Sequence, residues 1–571
     1  MVSAVATGGA TLVTGAVATY GGRLPVAGYA TTGTQRHRCD CGVIPTEGQI
    51  MTSAITSGGL PSHSRGRRSM ACGCAVALSL SVVLVACGGS PSRASASPGS
   101  SAPRSVVSPT LPRLTVTGPL RVGSPTFDKT LYGTNVDLSN VGYEKSQFFL
   151  SGTAHSYVPV SPLTSDGRWK VTTDASAPYT TRIAVYRPID PKKFNGTVVV
   201  EWLNVSGGTD DAPEWTMSHN ELIRDGFAWV GVSAQQVGVD SAKTTDPAEY
   251  SSLSHPGDSF SYDIFSQAGQ AVRDDATSIL GGLRPHTLIA AGESQSAGRL
   301  MTYIDAVQPI THVYRGFLVH SQFGTGAPLS QAPQTNYPAP NPTTIRSDLG
   351  VPVLEFETET DVYNSNLTDR LHYGNPKWFR LWEVAGSSHY DYYGLAIGPN
   401  DTGNGQGAVK NLAAMQNPTR TPVGGFNCAV PINTGGTHWA LDAAVYWLNR
   451  WAVDGTPPPR APLLATSHVS AVVFKLDTNG NAIGGVRTPQ VDAPIAALGS
   501  QGNSGGFCFL FGTTVPYSAA HLATLYKNHS QFVSAWARAV RRDRARGFLL
   551  PADAIELLHS AAVSQVAGQD R

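Results

Sequence analysis

The sequence TLIAAGESQSAGRL, at residues 287–300, is the most informative part of this chain. A short apolar run ends in the pattern Gly-x-Ser-x-Ser, and a helix-like segment begins at Ser296. A strand, a sharp turn and a helix in this order are typical of a nucleophile elbow, in which the turn exposes the serine Oγ. Gly292 and Ser296 are small, as the close backbone approach at such a turn requires, although glycine is the usual residue in the last place. The pattern therefore predicts that Ser294 is a nucleophile.

Strands and helices are predicted to alternate around this elbow. The nearly continuous apolar runs at 197–203 and 227–233 are suited to strands that are buried on both faces. Further strands are predicted at 316–319 and 351–356, with helices at 215–225, 268–280 and 296–305. This alternation predicts an α/β fold, a mostly parallel sheet flanked by helices.

The regions on either side of this sheet have different patterns. Residues 113–187 alternate apolar and polar side chains between Gly, Pro and Asp, which predicts an antiparallel β region. Residues 390–437 are rich in Gly, Asn, Thr and Pro, and so long a segment predicts a lid-like insertion or a substrate wall. Helices are predicted at 439–451, 519–546 and 551–562.

Composition limits the class of partner. The chain has 571 residues, of which 41% are hydrophobic and 14% charged, and its formal net charge is +1. The sequence contains no basic block, so its charge pattern argues against nucleic acid as a partner. Chain length is sufficient for one large core or two smaller ones.

The first 112 residues are predicted to lie outside the catalytic fold. Residues 1–69 form a leader that is expected to be disordered or untranslated, with Met51 and Met70 as candidate translation starts. Residues 70–87 are typical of a secretory signal peptide, and their end, LVAC, resembles a lipobox in which Cys87 is acylated. An ordinary signal peptide or a single anchor helix is the alternative. Residues 88–112, rich in Ser, Pro and Ala, are predicted to be a flexible linker.

After removal of such a signal, the only other cysteines are Cys428 and Cys508. An exported compartment is oxidising, so the two are candidates for a disulfide bond. Two unpaired buried cysteines are the alternative.

The acid of the predicted site lies in residues 351–362, VPVLEFETETDV. In one long strand its four carboxylates would share a face, and burying them all against helices would be too costly. The strand is therefore expected to end near Phe356, which places 357–361 at the carboxyl edge where open sheets have their sites. Asp361 is the predicted acid, and Glu359 is the alternative.

The predicted base is His389, in the segment VAGSSHYD at 384–391. A short apolar strand runs into a loop of small residues that carries the histidine, so that its ring can reach the serine. His438, just before a helix, is the weaker candidate. The oxyanion hole is predicted to use the backbone N–H of Gln295 and one from the loop after the 198–202 strand, with Val205 as the candidate.

Together, the motifs at 201–208 (EWLNVSGG), 292–296 (GESQS), 358–361 (TETD) and 386–391 (GSSHYD) resemble a bacterial alpha/beta hydrolase-domain family of exported proteins. The similarity continues through 484–489 and Cys508 to the C-terminal helices, and the predicted domain covers 113–565. The resemblance implies a serine hydrolase fold and suggests ester hydrolysis. It does not identify a substrate.

The sequence thus predicts an exported serine esterase, anchored to the membrane by lipid, that acts on a small-molecule or lipid ester. Ser294, His389 and Asp361 would act in turn as nucleophile, base and orienting acid. No metal or organic cofactor is expected, and the oligomeric state is left open. Acyl transfer or amide cleavage by the same residues is one alternative. A non-catalytic, surface-binding lipoprotein is another.

Overall fold

A computed structural model describes residues 114–120, 127–365, 370, 376–423, 425–468 and 472–568. The predicted leader, signal peptide and linker, with Cys87, lie outside these residues. Among the helices that are described, none is both long and apolar enough to cross a membrane.

The described residues contain fifteen strands, numbered here in chain order. They are β1 (Thr115–Leu120), β2 (Leu131–Tyr132), β3 (Tyr143–Pro159), β4 (Val171–Pro188), β5 (Thr197–Trp202), β6 (Asp210–Asp211), β7 (Ala228–Val232), β8 (Thr287–Glu293), β9 (Gly316–His320), β10 (Val353–Thr358), β11 (Phe379–Val384), β12 (Thr466–His468), β13 (Val472–Phe474), β14 (Ala496–Gly499) and β15 (Thr513–Pro516).

The α-helices are numbered in the same way. They are α1 (Phe127–Thr130), α2 (Pro213–Arg224), α3 (Gln236–Thr245), α4 (Pro247–Tyr250), α5 (Ser261–Asp274), α6 (Ala276–Ile279), α7 (Gln295–Thr302), α8 (Gln308–Thr311), α9 (Glu359–Asn364), α10 (Gln406–Gln416), α11 (Thr437–Asp454), α12 (Pro489–Asp492), α13 (Ala519–Leu525), α14 (His529–Arg546) and α15 (Pro551–Val563). Two π-helical turns lie at Tyr303–Val307 and Tyr393–Ile397.

Within the described chain, nine strands form one sheet in the order β1-β3-β4-β7-β5-β8-β9-β10-β11. The pairings β1–β3, β3–β4 and β4–β7 are antiparallel. From β7 through β5, β8, β9 and β10 to β11, every pairing is parallel. The predicted α/β fold and its N-terminal antiparallel region are therefore confirmed.

Helices cover both faces of the parallel part, and the central strands are buried on both sides. Val198 and Val200 of β5 belong to one apolar cluster, together with Phe265 of α5 and Leu300 of α7. Val199, between them, belongs to a second cluster that includes residues of α2 and α11. This burial on both faces explains why β5 is apolar without interruption at 198–200 and β8 at 288–291.

The strand that precedes the predicted acid is longer than expected. It continues past Phe356 to Thr358, and both Glu355 and Glu357 are buried. The backbone N–H of Gln322 donates to Glu357 (3.2 Å), and its side-chain amide donates to Glu355 (2.7 Å). Burial, with repulsion from Asp361 and Glu355, raises the pKa of Glu357 well above its usual value. The sequence-based prediction assumed that the carboxyls of this strand would be charged, and therefore too costly to bury. A protonated carboxyl avoids that cost.

Two other expectations differ from the structure. The predicted helix at 519–546 is two helices, because Asn528 interrupts it and accepts a hydrogen bond at the start of α14 from the Gln531 N–H (3.0 Å). The predicted lid-like insertion at 390–437 contains α10, which buries Leu412 and Met415. An amphipathic helix was missed there because Gly and Asn residues flank a short apolar pattern.

Cys428 and Cys508, which are 80 positions apart in the sequence, are joined by a disulfide bond. They pack with Ile432, Leu510 and Phe511 in a small apolar cluster. The bond thus links two segments with little regular structure, one before α11 in the sequence and one after it.

Removal of this disulfide should destabilise the fold. Because the bond closes a long loop in the unfolded chain, a Cys428→Ser/Cys508→Ser double variant is expected to lose about 2–4 kcal/mol of unfolding free energy. Urea denaturation of the oxidised protein and the double variant measures this difference. Equal midpoints and slopes for the two proteins would contradict the prediction.

Candidate active site

Ser294 lies on the sharp turn between β8 and α7. Its backbone has φ 61° and ψ −119°, a conformation that is costly for a residue with a side chain. The turn is fixed by two hydrogen bonds: the Ser294 N–H donates to the His320 carbonyl (2.9 Å), and the Ser296 hydroxyl donates to the Glu293 carbonyl (2.8 Å). A Cβ atom at Gly292 would approach the Ser296 carbonyl oxygen to 3.0 Å. The geometry is that of a nucleophile elbow, and Ser294 is partly exposed.

His389 extends from the loop after β11 to the Ser294 side chain. Its Nε2 lies 2.8 Å from Ser294 Oγ, and its Nδ1 lies 2.6 Å from Asp361 Oδ1. The ring stacks on Phe323, with 4.9 Å between the centroids, and is almost fully buried. The structure therefore brings the three predicted residues into one hydrogen-bonded chain.

Asp361 lies in the first turn of α9, just after β10. Its Oδ2 accepts hydrogen bonds from the Thr358 N–H (2.8 Å), the Thr358 hydroxyl (2.6 Å) and the Ser321 hydroxyl (2.7 Å). Burial alone would raise the pKa of Asp361, but the charge of His389 and these hydrogen bonds hold it below its usual value. Asp361 is therefore a buried carboxylate with a donor at each oxygen.

The two alternative residues lie elsewhere. Glu359 Oε1 accepts a hydrogen bond from the Gly386 N–H (2.5 Å), so this carboxyl binds the backbone of the histidine loop and not the imidazole. Burial raises the pKa of Glu359 to about 8. His438 stacks on Tyr393 and directs its Nδ1 to the Met217 carbonyl (2.5 Å).

The predicted oxyanion donors flank Ser294. Gln295 is the first residue of α7, so its N–H has no partner within the helix. Val205 lies in the loop after β5, the strand next to β8, and the Asn204 side chain fixes that loop by donating to the Glu293 carbonyl (3.0 Å). Among the described residues, no acceptor is found for the N–H of either Gln295 or Val205. The N–H groups of Gln295 and Val205 therefore remain the candidate oxyanion donors.

Glu293, which the sequence analysis did not assign a role, also contacts the histidine. Its Oε1 lies 3.2 Å from His389 Nε2, and its Oε2 accepts from the Asn204 side chain (3.2 Å). Burial is the main cause that raises the pKa of Glu293 well above its usual value. Repulsion from other carboxylates adds to this effect, namely those of Glu214, Asp211, Asp361 and Glu201. The one feature of the sequence that could have indicated a role for Glu293 is its position, as an acidic residue at the end of a mostly apolar strand.

A model of a family described as an alpha/beta hydrolase domain matches residues 116–559. The chain belongs to that alpha/beta hydrolase family. No curated protein sequence matches the hydrolase.

Solved structures with low similarity include an esterase from Rhizomucor miehei and an alpha-beta serine hydrolase homologue from Coxiella burnetii. The first is 13% identical, with 40% of this chain and 75% of that chain covered and a TM-score of 0.23. The second is also 13% identical, with 37% and 84% covered and a TM-score of 0.25. The family assignment rests on the family model alone.

In the part of the chain that the structure describes, no three His, Cys, Asp or Glu side chains are arranged to hold a metal ion.

The raised pKa of Glu293 leads to a prediction about stability. A carboxyl whose pKa is higher in the folded than in the unfolded state binds an extra proton when folded, so stability falls as pH rises between the two pKa values. The glutamine of Glu293→Gln cannot ionise. The unfolding free energy of this variant, relative to that of the wild type, should therefore increase as pH is raised from about 5 to 9. The gain is at most about 1.4 kcal/mol per pH unit.

Urea denaturation across this pH range measures the difference. Glu144→Gln, at an exposed glutamate, is the matched control and should track the wild type. A Glu293→Gln difference that stays constant with pH would show that Glu293 is not protonated in the folded hydrolase.

Proposed function

We propose that this protein is a carboxylic ester hydrolase that acts through an acyl-enzyme on Ser294. The observation that carries the proposal is the unbroken chain from Ser294 Oγ to His389 (2.8 Å) and from His389 to Asp361 (2.6 Å). A serine hydroxyl is a weak nucleophile until a base takes its proton and a third group orients that base. Here His389 would be the base and Asp361 the orienting group.

In the first half-reaction, Ser294 Oγ attacks the ester carbonyl while His389 Nε2 takes its proton. Asp361 stabilises the imidazolium through the hydrogen bond at Nδ1. The negative charge on the former carbonyl oxygen is bound by the N–H groups of Gln295 and Val205. When the tetrahedral intermediate collapses, the bond to the alcohol oxygen breaks, and His389 returns the proton to the leaving alcohol.

In the second half-reaction, water takes the place of the alcohol. His389 accepts a proton from water, whose oxygen attacks the acyl carbon, and the acid is released as Ser294 regains its proton. Partial exposure of Ser294 supports access of water to the acyl-enzyme. An acceptor alcohol or amine in place of water would give acyl transfer, and an amide in place of the ester would use the same steps.

Labelling with a fluorophosphonate probe tests the nucleophile. The purified hydrolase, residues 88–571, should label, and Ser294→Ala should not, because the probe phosphonylates only an activated serine. His389→Ala and Asp361→Asn should label at least about a hundredfold more slowly. His438→Ala is the matched control and should label at the wild-type rate. Equal labelling of Ser294→Ala would exclude Ser294 as the nucleophile, and absence of labelling in the wild type would exclude serine hydrolase activity.

We further propose that the hydrolase is exported and anchored to the membrane by lipid on Cys87. Two observations support this: the signal-like segment at 70–87 with its lipobox-like end, and the Cys428–Cys508 disulfide, which fits an oxidising compartment.

The anchor is tested by Cys87→Ser in a bacterial host that processes lipoproteins. The wild type should partition into the detergent phase of a membrane extract, and the Cys87→Ser protein should not. A variant that partitions like the wild type would contradict acylation at Cys87.

A further inference from the structure

A group of apolar side chains lies on the histidine side of the proposed active site. Its members are all partly exposed and all pack on the cluster around the Cys428–Cys508 disulfide; we call them the histidine-side wall, and they are Phe323, Tyr390, Tyr392, Leu395 and Phe426. None of the five carries a charge at neutral pH. Four of them are aromatic, so the wall offers flat apolar surface to a ligand.

The wall is continuous with the reacting groups. Phe323 stacks directly on the His389 ring, and Tyr390 follows His389 in the chain. Two backbone hydrogen bonds hold the histidine loop to the disulfide-linked segments: the Tyr390 N–H donates to the Leu510 carbonyl (3.4 Å), and the Tyr392 N–H donates to the Asn433 carbonyl (2.8 Å). An apolar surface that begins at Phe323 and Tyr390, beside the imidazole, therefore continues to the disulfide cluster.

The same cluster extends outward through further phenylalanines. Phe426 lies edge-to-face with Phe511 (5.2 Å between centroids) and with Phe507 (6.5 Å). Phe507 and Phe509, which flank Cys508, are 41% and 46% exposed. Exposed aromatic side chains that extend a surface in contact with His389 are typical of a binding surface rather than of a core.

The chemistry of the proposed reaction decides which part of an ester faces this wall. His389 Nε2 must give its proton to the leaving alcohol oxygen, so the alcohol part lies against the histidine when the tetrahedral intermediate collapses. The carbonyl oxygen lies on the other side, at the N–H groups of Gln295 and Val205. On the basis of the proposed function, we infer that the histidine-side wall binds the alcohol part of the substrate, and that the substrates are esters of aromatic or bulky apolar alcohols.

Steady-state kinetics with two acetate esters test the inference. The acyl group is kept constant, and the alcohol is 1-naphthol in one ester and methanol in the other. For Phe426→Ala, the ratio of kcat/KM for 1-naphthyl acetate to kcat/KM for methyl acetate should fall about tenfold, because a naphthyl group loses an apolar contact that a methyl group does not make. Leu395→Ala, which removes a smaller side chain of the wall, should lower the ratio in the same direction.

The matched control is Val473→Ala, at an exposed apolar residue of β13 outside the wall, which should leave both rates at wild-type values. The ratio compares two substrates of one protein preparation, so partial loss of folded protein cancels. A ratio that stays at its wild-type value in both wall variants would overturn the inference. So would an effect that follows acyl length, measured with methyl acetate and methyl hexanoate, because the wall would then bind the acyl part.

Three further outcomes separate this inference from others. A loss with 1-naphthyl acetate that appears only in the presence of phosphatidylcholine vesicles would assign the wall to lipid-surface contact and overturn the inference. Failure of the wild type to label with a fluorophosphonate would overturn the proposed function. Normal labelling with an unchanged substrate ratio would overturn only the role of the wall.

Discussion

The buried carboxylate of Asp361 is the interaction on which the rest of the site depends. A charge placed this deep is costly unless every oxygen has a donor. Its donors come from three places in the fold: Ser321 after β9, Thr358 at the end of β10, and His389 after β11. Since these three strands are neighbours in the parallel sheet, the carboxylate fixes their carboxyl ends relative to one another, and it also fixes the imidazole ring that faces Ser294.

Around that ionised group, the neighbouring acids are kept neutral. Burial raises the pKa of Glu357 and of Glu293 well above their usual values, and it raises the pKa of Glu359 to about 8. Asp361 differs from them, because the interaction with His389 and the hydrogen bonds from Thr358 and Ser321 outweigh burial and lower its pKa. Burial and hydrogen bonding thus give four acidic residues of one region two different protonation states.

Much of the architecture could be predicted from the sequence because it follows from periodicity. Apolar runs without alternation indicated the parallel strands, and the small residues around Ser294 indicated the elbow. The extent of β10 was not predictable, because the sequence does not show that Gln322, more than thirty residues earlier, supplies donors to Glu355 and Glu357. The contact of Glu293 with His389 likewise depends on how the end of β8 lies relative to the loop after β11. The spacing of residues along the chain does not reveal this arrangement.

The proposed mechanism requires Ser294 to carry the acyl group during turnover. The most direct measurement is rapid acid quench of the hydrolase during turnover of 4-nitrophenyl acetate, followed by peptide mapping by mass spectrometry. The proposed mechanism predicts an acetyl group on the peptide that contains Ser294, formed within the first turnover and lost as the ester is exhausted. An acetyl group on another residue, or product formation with no acetylated peptide at any time, would contradict it.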